Sequence, residues 1–164
     1  MSVSKRAVLD FMKGDQVATG EVFEEYKNLL YFIITTYVSN SNDCDDLLSE
    51  TFLKAMQHRN DIKNPSNIKS FLSKIAKNEA LQFLRKNKTV VLEHIDEIYG
   101  QDDVSNPLLD MFGPLLDNRE TIIVYYRAVF SFSWKEIATE TGIPESTSKA
   151  IYKTAKEKLR KELL

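Results

Sequence analysis

An all-α fold of two small helical domains joined by an acidic linker is predicted by three features of the sequence. Apolar residues recur at three- and four-residue steps through most of the chain, the spacing of amphipathic helices. Only five glycines and four prolines occur among 164 residues, too little punctuation for a sheet-rich fold. Charge is segregated: residues 65–88 carry six Lys or Arg and one acid, whereas residues 89–106 carry five acids and no Lys or Arg. The formal net charge of −2 hides that segregation, and taken whole it argues against a nucleic-acid binder. A 43% hydrophobic content is enough for a core, while the length alone lies between one domain and two. A single cysteine, Cys44, excludes an intramolecular disulfide. The sequence has neither a signal peptide nor an apolar run of spanning length, so a soluble, cytoplasmic protein without a membrane span is expected.

A short helix is expected over Lys5 to Met12, followed by a polar patch bracketed by Gly14 and Gly20. From Glu21 to Val38, Phe23, Tyr26, Leu29, Leu30, Ile33, Ile34 and Tyr37 mark the buried face of a second helix. Ser39 to Asn42 breaks it. A third helix begins at Asp43, with Leu47, Leu48, Thr51, Phe52, Ala55 and Met56 buried. Its outer face opens with Asp43, Asp45 and Asp46 in the first turn, complementing the positive end of the helix dipole, and Glu50 follows. Asn60 to Asn67 reads as a loop, and Pro65 suits the first turn of a fourth helix running to about Lys88. Ile68, Phe71, Leu72, Ile75, Ala76 and Phe83 share one arc of that helix; Lys69, Ser70, Ser73, Lys74, Lys77, Asn78, Arg85 and Lys88 share the other. A face of one sign points to an anionic partner such as a phosphate backbone, the plainer reading being a solvated helix face.

Residues 89–106 suit a linker around Gly100, although Val90, Val91, Leu92, Ile95, Ile98 and Tyr99 are too apolar for a freely solvated tether and should lie against something. Asn106-Pro107 starts a second module, interrupted at Gly113-Pro114, and a helix from about Asp117 buries Ile122, Ile123, Tyr126 and Val129. Ser133 and Glu136 form a capping-box pattern for a helix that buries Trp134, Ile137 and Ala138. Gly142 stops that helix and Pro144 opens the next, which runs to about Leu159 with Ser146, Thr147, Lys149, Lys153 and Lys156 on its outer side. Two helices joined by so short a glycine-containing turn make a helix-turn-helix, the alternative being an ordinary helical hairpin.

These stretches, in this order, resemble a bacterial RNA polymerase sigma factor of the compact two-domain extracytoplasmic-function (ECF) type of the sigma-70 family. Asp43 to Ala55 is similar to that family's region 2.2, Ile68 to Lys86 to regions 2.3 and 2.4, and Leu116 to Glu120 with the helix-turn-helix through Arg160 to region 4. The likeness covers about residues 21–88 and 107–161 and implies a region 2-like domain over 1–88, a linker over 89–106 and a region 4-like domain over 107–164. It implies that Asp46, Ser49 and Glu50 dock on the β′ clamp helices of core RNA polymerase. By the same match Asn78 and Gln82 stand near a pocket for a flipped minus-10 base, with Lys63, Asn64 and Asn67 in its loop, and Lys69, Lys74, Lys77 and Arg85 hold phosphates. The linker would occupy the RNA path, and the last domain would sit on the β flap with Glu145, Ser146, Thr147, Lys149, Lys153 and Lys156 at the minus-35 element. The partners so implied are core polymerase, promoter DNA and an anti-sigma factor, with no cofactor. Phe71 stands where the family usually has tryptophan and Ser49 where it has glutamine; basic residues common in the recognition helix are replaced by Ile151 and Thr154. Glu145 is either an acceptor for a cytosine amino group or a helix-start acid.

Two other readings stay in the same class: a self-sufficient helix-turn-helix regulator, and a sigma-like adaptor that binds polymerase without full promoter recognition. An enzyme is not expected. His58 and His94 form no metal-binding or triad spacing, and the acids around Cys44 disfavour a reactive thiolate.

Overall fold

The structure is a computed structural model that describes residues 3–87 and 115–163, and the chain divides into two units, Met1–Val91 and Leu92–Leu164. In the first unit, helices α1 (Lys5–Met12), α2 (Gln16–Thr35), α3 (Ser41–Gln57) and α4 (Ile68–Lys86) surround one core. Side-chain caps set where the first three begin: Ser4 accepts from the Ala7 amide at 3.1 Å, Asp15 from Ala18 at 2.8 Å and Asn40 from Asp43 at 3.1 Å. Helix α2 is central, packing on α1, α3 and α4, and α3 also packs on α4. Val22, Leu30, Ile33 and Ile34 of α2, Phe52 of α3, and Leu72, Ala76 and Ala80 of α4 are all buried in this core.

Several boundaries differ from the sequence reading. Helix α2 starts five residues earlier than Glu21 because Asp15 caps it, and Gly20 lies inside the helix with nothing near the position of a Cβ. Helix α3 starts at Ser41, so only Asp43 lies in its first turn; Asp45 and Asp46 lie beyond it. Pro65 opens a separate 3-10 turn, Pro65–Asn67, and α4 follows at Ile68. Ser73, expected on the outer arc, is fully buried. The cause is that α4 packs against both α2 and α3, which widens its buried arc beyond one apolar stripe.

The turn between α1 and α2 needs Gly14, whose φ is +87° and whose missing Cβ would stand 3.1 Å from the Arg59 guanidinium. Arg59 in turn donates to the Met56 carbonyl at the end of α3, at 2.8 Å. Gly14→Ala should therefore lower stability by about 1–2 kcal/mol. Urea denaturation of the full chain reads this as a lower midpoint with an unchanged slope.

The second unit holds α5 (Asn118–Val124), α6 (Trp134–Thr141) and α7 (Glu145–Leu163), with a π-helical turn at Tyr125–Val129 after α5. Helices α5 and α6 both pack on α7, around Leu116, Ile122, Ile123, Tyr126, Phe132, Ile137, Ile143 and Ala155. Val129, expected to be buried, is 58% exposed. The wider π turn inserts a residue into the helical phase, so Tyr126 keeps its inward place while Val129 is carried out. Lys88, the linker over 89–106, Pro107 and the Gly113-Pro114 break lie outside the described residues.

Candidate nucleic-acid interface

Helix α4 carries most of its exposed polar residues along one side. At about 100° per residue, Lys74, Asn78 and Arg85 fall within roughly 40° of one another, with Gln82 and Lys77 on the two flanks. Lys74, Asn78, Gln82 and Arg85 are exposed and Lys77 is half-buried. Lys69 is set apart: it stands about 140° round the helix from Lys74, half-buried and engaged by a neighbour. Lys63, Asn64 and Asn67 are exposed ahead of the helix. The Asn64 side-chain oxygen caps the 3-10 turn, accepting from the Ser66 amide at 3.0 Å and from its hydroxyl at 2.9 Å. At about 1.5 Å per residue, Asn67 and Gln82 are roughly 22 Å apart along the axis, so the geometry joins Asn78 to Gln82 and does not join Gln82 to the loop.

On the neighbouring helix α3, Asp46, Ser49 and Glu50 are all exposed. Among the described residues Asp46 and Glu50 pair with no cation, and as like charges one turn apart they cost the helix a few tenths of a kcal/mol, on the order of 0.3. Neither lies in the first turn, where the dipole would reward it. A cleft of about 350 Å³ opens along one side of the α3–α4 contact, lined by Asp43, Asp46, Leu47, Glu50 and Lys54 from α3 and by Glu79, Gln82, Phe83 and Lys86 from α4. At its floor Lys54 donates to Glu79. Sequence reasoning counted Glu79 only as a charge, yet its place on the apolar arc of α4, three residues from Ala76, signals a buried acid in need of a partner. Cys44 is buried and donates to the Val38 carbonyl at 3.2 Å. Burial, then the charges of Asp43 and Asp45, pushes its thiol up to about 11, which suits a core residue and not a nucleophile.

In the second unit the helix-turn-helix forms as its local chemistry dictates. Ser133 accepts from the Glu136 amide at 3.1 Å, while Glu136 accepts from the Ser133 amide at 2.7 Å. Gly142 takes φ +75°, and its N–H closes on the Ala138 carbonyl at 2.9 Å. Thr141 donates to Ile137 and accepts from the Ile143 amide, and buried Ile143 and Ser148 hold the turn against the core. Helix α7 then begins at Glu145 and presents Glu145, Ser146, Thr147, Lys149, Lys153 and Lys156 to solvent. Lys149, Lys153 and Lys156 lie within about 60° of one another, while Thr147 lies roughly 160° from Lys149 on the other flank. A chain of ring contacts fixes α6 on α7: the Arg127 guanidinium lies 4.7 Å over Trp134, Trp134 meets Tyr152 edge-on at 5.4 Å, and Lys156 stands 5.4 Å over Tyr152. Ile151 is half-buried, and with Thr154 it lines a small cleft beside Asp117, Arg119 and Glu120 at the start of α5.

Glu120 ties the start of α5 to the far part of α7. One carboxylate oxygen accepts from the Asp117 amide at 3.0 Å, completing a capping box, and the other accepts from Lys158 at 2.6 Å. That hydrogen bond is the main reason the Lys158 ammonium titrates above the usual 10.5; burial opposes it, and the charges of Glu120 and Asp117 add to it. A group whose pKa is higher folded than unfolded contributes stability that is fully present below the unfolded value and is lost as pH rises through the folded one. The thermal midpoint of the full chain should accordingly fall above pH 10.5, and a Lys158→Met variant should show a shallower decline over the same range.

Residues 22–90 match the Sigma-70 region 2 family. The chain is 27% identical to the ECF RNA polymerase sigma factor SigM of Bacillus subtilis (strain 168), over 85% of this chain and 91% of that protein. It is 30% identical to the RNA polymerase sigma factor SigV of the same organism, over 80% of this chain and 83% of that one. The chain belongs to the ECF RNA polymerase sigma factors. These are the promoter-directing factors of transcription initiation, and the sigma factor described here shares their all-α fold. A solved structure, that of CnrH in complex with the cytosolic domain of CnrY, superposes with a TM-score of 0.58 at 17% identity, covering 97% of this chain and 96% of that one. Among the described residues no helix is long and apolar enough to cross a membrane, and no group of three His, Cys, Asp or Glu could hold a metal ion.

Proposed function

We propose that this sigma factor divides initiation between its units: residues 1–88 dock on core polymerase through α3 and open the minus-10 element with α4, and residues 107–164 read the minus-35 element with α7. The observation that carries this reading is the pairing of two opposite faces in the first unit. Asp46 and Glu50 stand exposed at a cost to their own helix, as a docking face for basic protein surface would. One helix away, Lys74, Lys77 and Arg85 flank Asn78, a polar side chain free to meet a base among cations that meet phosphates. Glu79, the lone acid of α4, is turned inward to Lys54, so the outward face is undiluted positive charge. In the second unit Lys149, Lys153 and Lys156 line one side of α7 in a groove-entering geometry, with Ser146 and Glu145 at the helix start where base edges are reached. The factor works without chemistry of its own, by binding and positioning, and the linker over 89–106 connects the two readings.

Photo-crosslinking tests the assignment. A benzoylphenylalanine at position 78 in the reconstituted holoenzyme should crosslink within the minus-10 region of a transcribed promoter, and one at position 149 within the minus-35 region. Crosslinks from both positions to polymerase subunits, with none to DNA, would favour the adaptor reading.

A further inference from the structure

We propose that Lys54 and Glu79 are positioning residues that fix the register between the polymerase-facing side of α3 and the promoter-facing side of α4, and so couple docking to strand opening. The inference rests on the division of roles given above.

Glu79 is the only acid among seven charged residues in the segment 65–88, and its side chain is 8% exposed. A carboxylate placed there is destabilising unless it is paired, and Lys54 supplies the pair across the helix interface. Lys54 has a nearer choice. Glu50 lies one turn earlier on the same helix, in the favoured order for an acid and a lysine four apart, yet the ammonium reaches over to α4. Pairs of this kind seldom stabilise more than an apolar contact of the same volume would, which leaves the selection of one arrangement as the role proposed for this pair. The other buried residues of α3 and α4 are mostly apolar, with the Thr51 hydroxyl bonded within its own helix, and apolar packing tolerates small sliding better than a directed hydrogen bond between charges does.

The bond also sits in the right place. Lys54 is one turn from Glu50 and two from Asp46; Glu79 adjoins Asn78 and is three residues from Gln82. The cleft above the bond is lined by Asp46 and Glu50 from one side and by Gln82 and Lys86 from the other. A slip of α4 along α3 would therefore move Asn78 and Gln82 relative to a docking face held on polymerase, without removing any group that touches either partner.

The test separates docking from opening. Core affinity is measured by fluorescence anisotropy, and opening by permanganate reactivity of the minus-10 region at saturating core polymerase, on a promoter transcribed by the wild type. Glu79→Gln, isosteric and uncharged, should bind core within about twofold of wild type and open promoter about tenfold more slowly. Lys54→Met should behave alike, and the reversed pair Lys54→Glu with Glu79→Lys should recover most of the rate. Wild-type opening by both single variants would overturn the proposal, as would a reversed pair no faster than the singles while keeping the wild-type thermal midpoint. Core affinity falling in step with the midpoint would also overturn it, reducing the pair to a structural contact. A wild-type protein that binds core and opens no promoter would instead overturn the functional reading beneath it, an outcome visible before any variant is made.

Discussion

Replacing Asp46 and Glu50 together by lysine should raise the Kd for core polymerase by about 100-fold or more, because in the docking proposed for α3 two attractive contacts would become repulsive against a basic surface. Both side chains are exposed on α3, and among the described residues neither is engaged by a cation. They also lie past the first turn, so the helix dipole gains little from them. Their removal should hence leave the thermal midpoint almost unmoved, with a stability change within about 0.5 kcal/mol. That combination separates a docking face from a structural one. Anisotropy of a labelled chain titrated with core polymerase at fixed salt measures it, and wild-type affinity in the double variant would move the docking surface elsewhere.

Lys74→Ala, Lys77→Ala and Arg85→Ala combined should change the salt dependence of promoter binding as well as its strength, if the face proposed on α4 meets phosphates. Each phosphate contact to a single strand contributes about 0.7 to the slope of log K against log salt, so losing three lowers the slope by about 2. The intact face has no compensating acid, since Glu79 is inward and held by Lys54. Holoenzyme affinity for promoter DNA, measured at four or five salt concentrations, gives the slope directly. An unchanged slope with reduced affinity would mean that these residues act through folding and not through phosphates. Lys69 is the internal control: apart from this face and already engaged, it should change the slope little when replaced by alanine.

What the sequence disclosed and what it withheld follow from the range of the interactions involved. The short helix Lys5–Met12 and the whole helix-turn-helix were legible because caps, Gly142 and apolar spacing act within a few residues. The start of α2 is hidden because Gly20 reads as punctuation, whereas the helix begins at the Asp15 cap and runs through that glycine. The inward place of Ser73 is hidden for a different reason. A helix packed by two neighbours buries a wider arc than one apolar stripe, and no local pattern records how many neighbours there will be. Val129 was lost to the π turn, which shifts helical phase by a residue. The Lys54–Glu79 and Lys158–Glu120 pairs join residues 25 and 38 positions apart, and only the folded arrangement brings them together.

Run-off transcription with core RNA polymerase on a pool of promoter fragments, comparing wild type with Asn78→Ala and Lys149→Ala, tests the central claim most directly. Specific transcripts from the wild type, reduced in both variants while core affinity is kept, are the predicted result. Core binding without specific transcripts would contradict promoter recognition by this chain; specific duplex binding by the protein alone, with no binding to core, would contradict the assignment altogether.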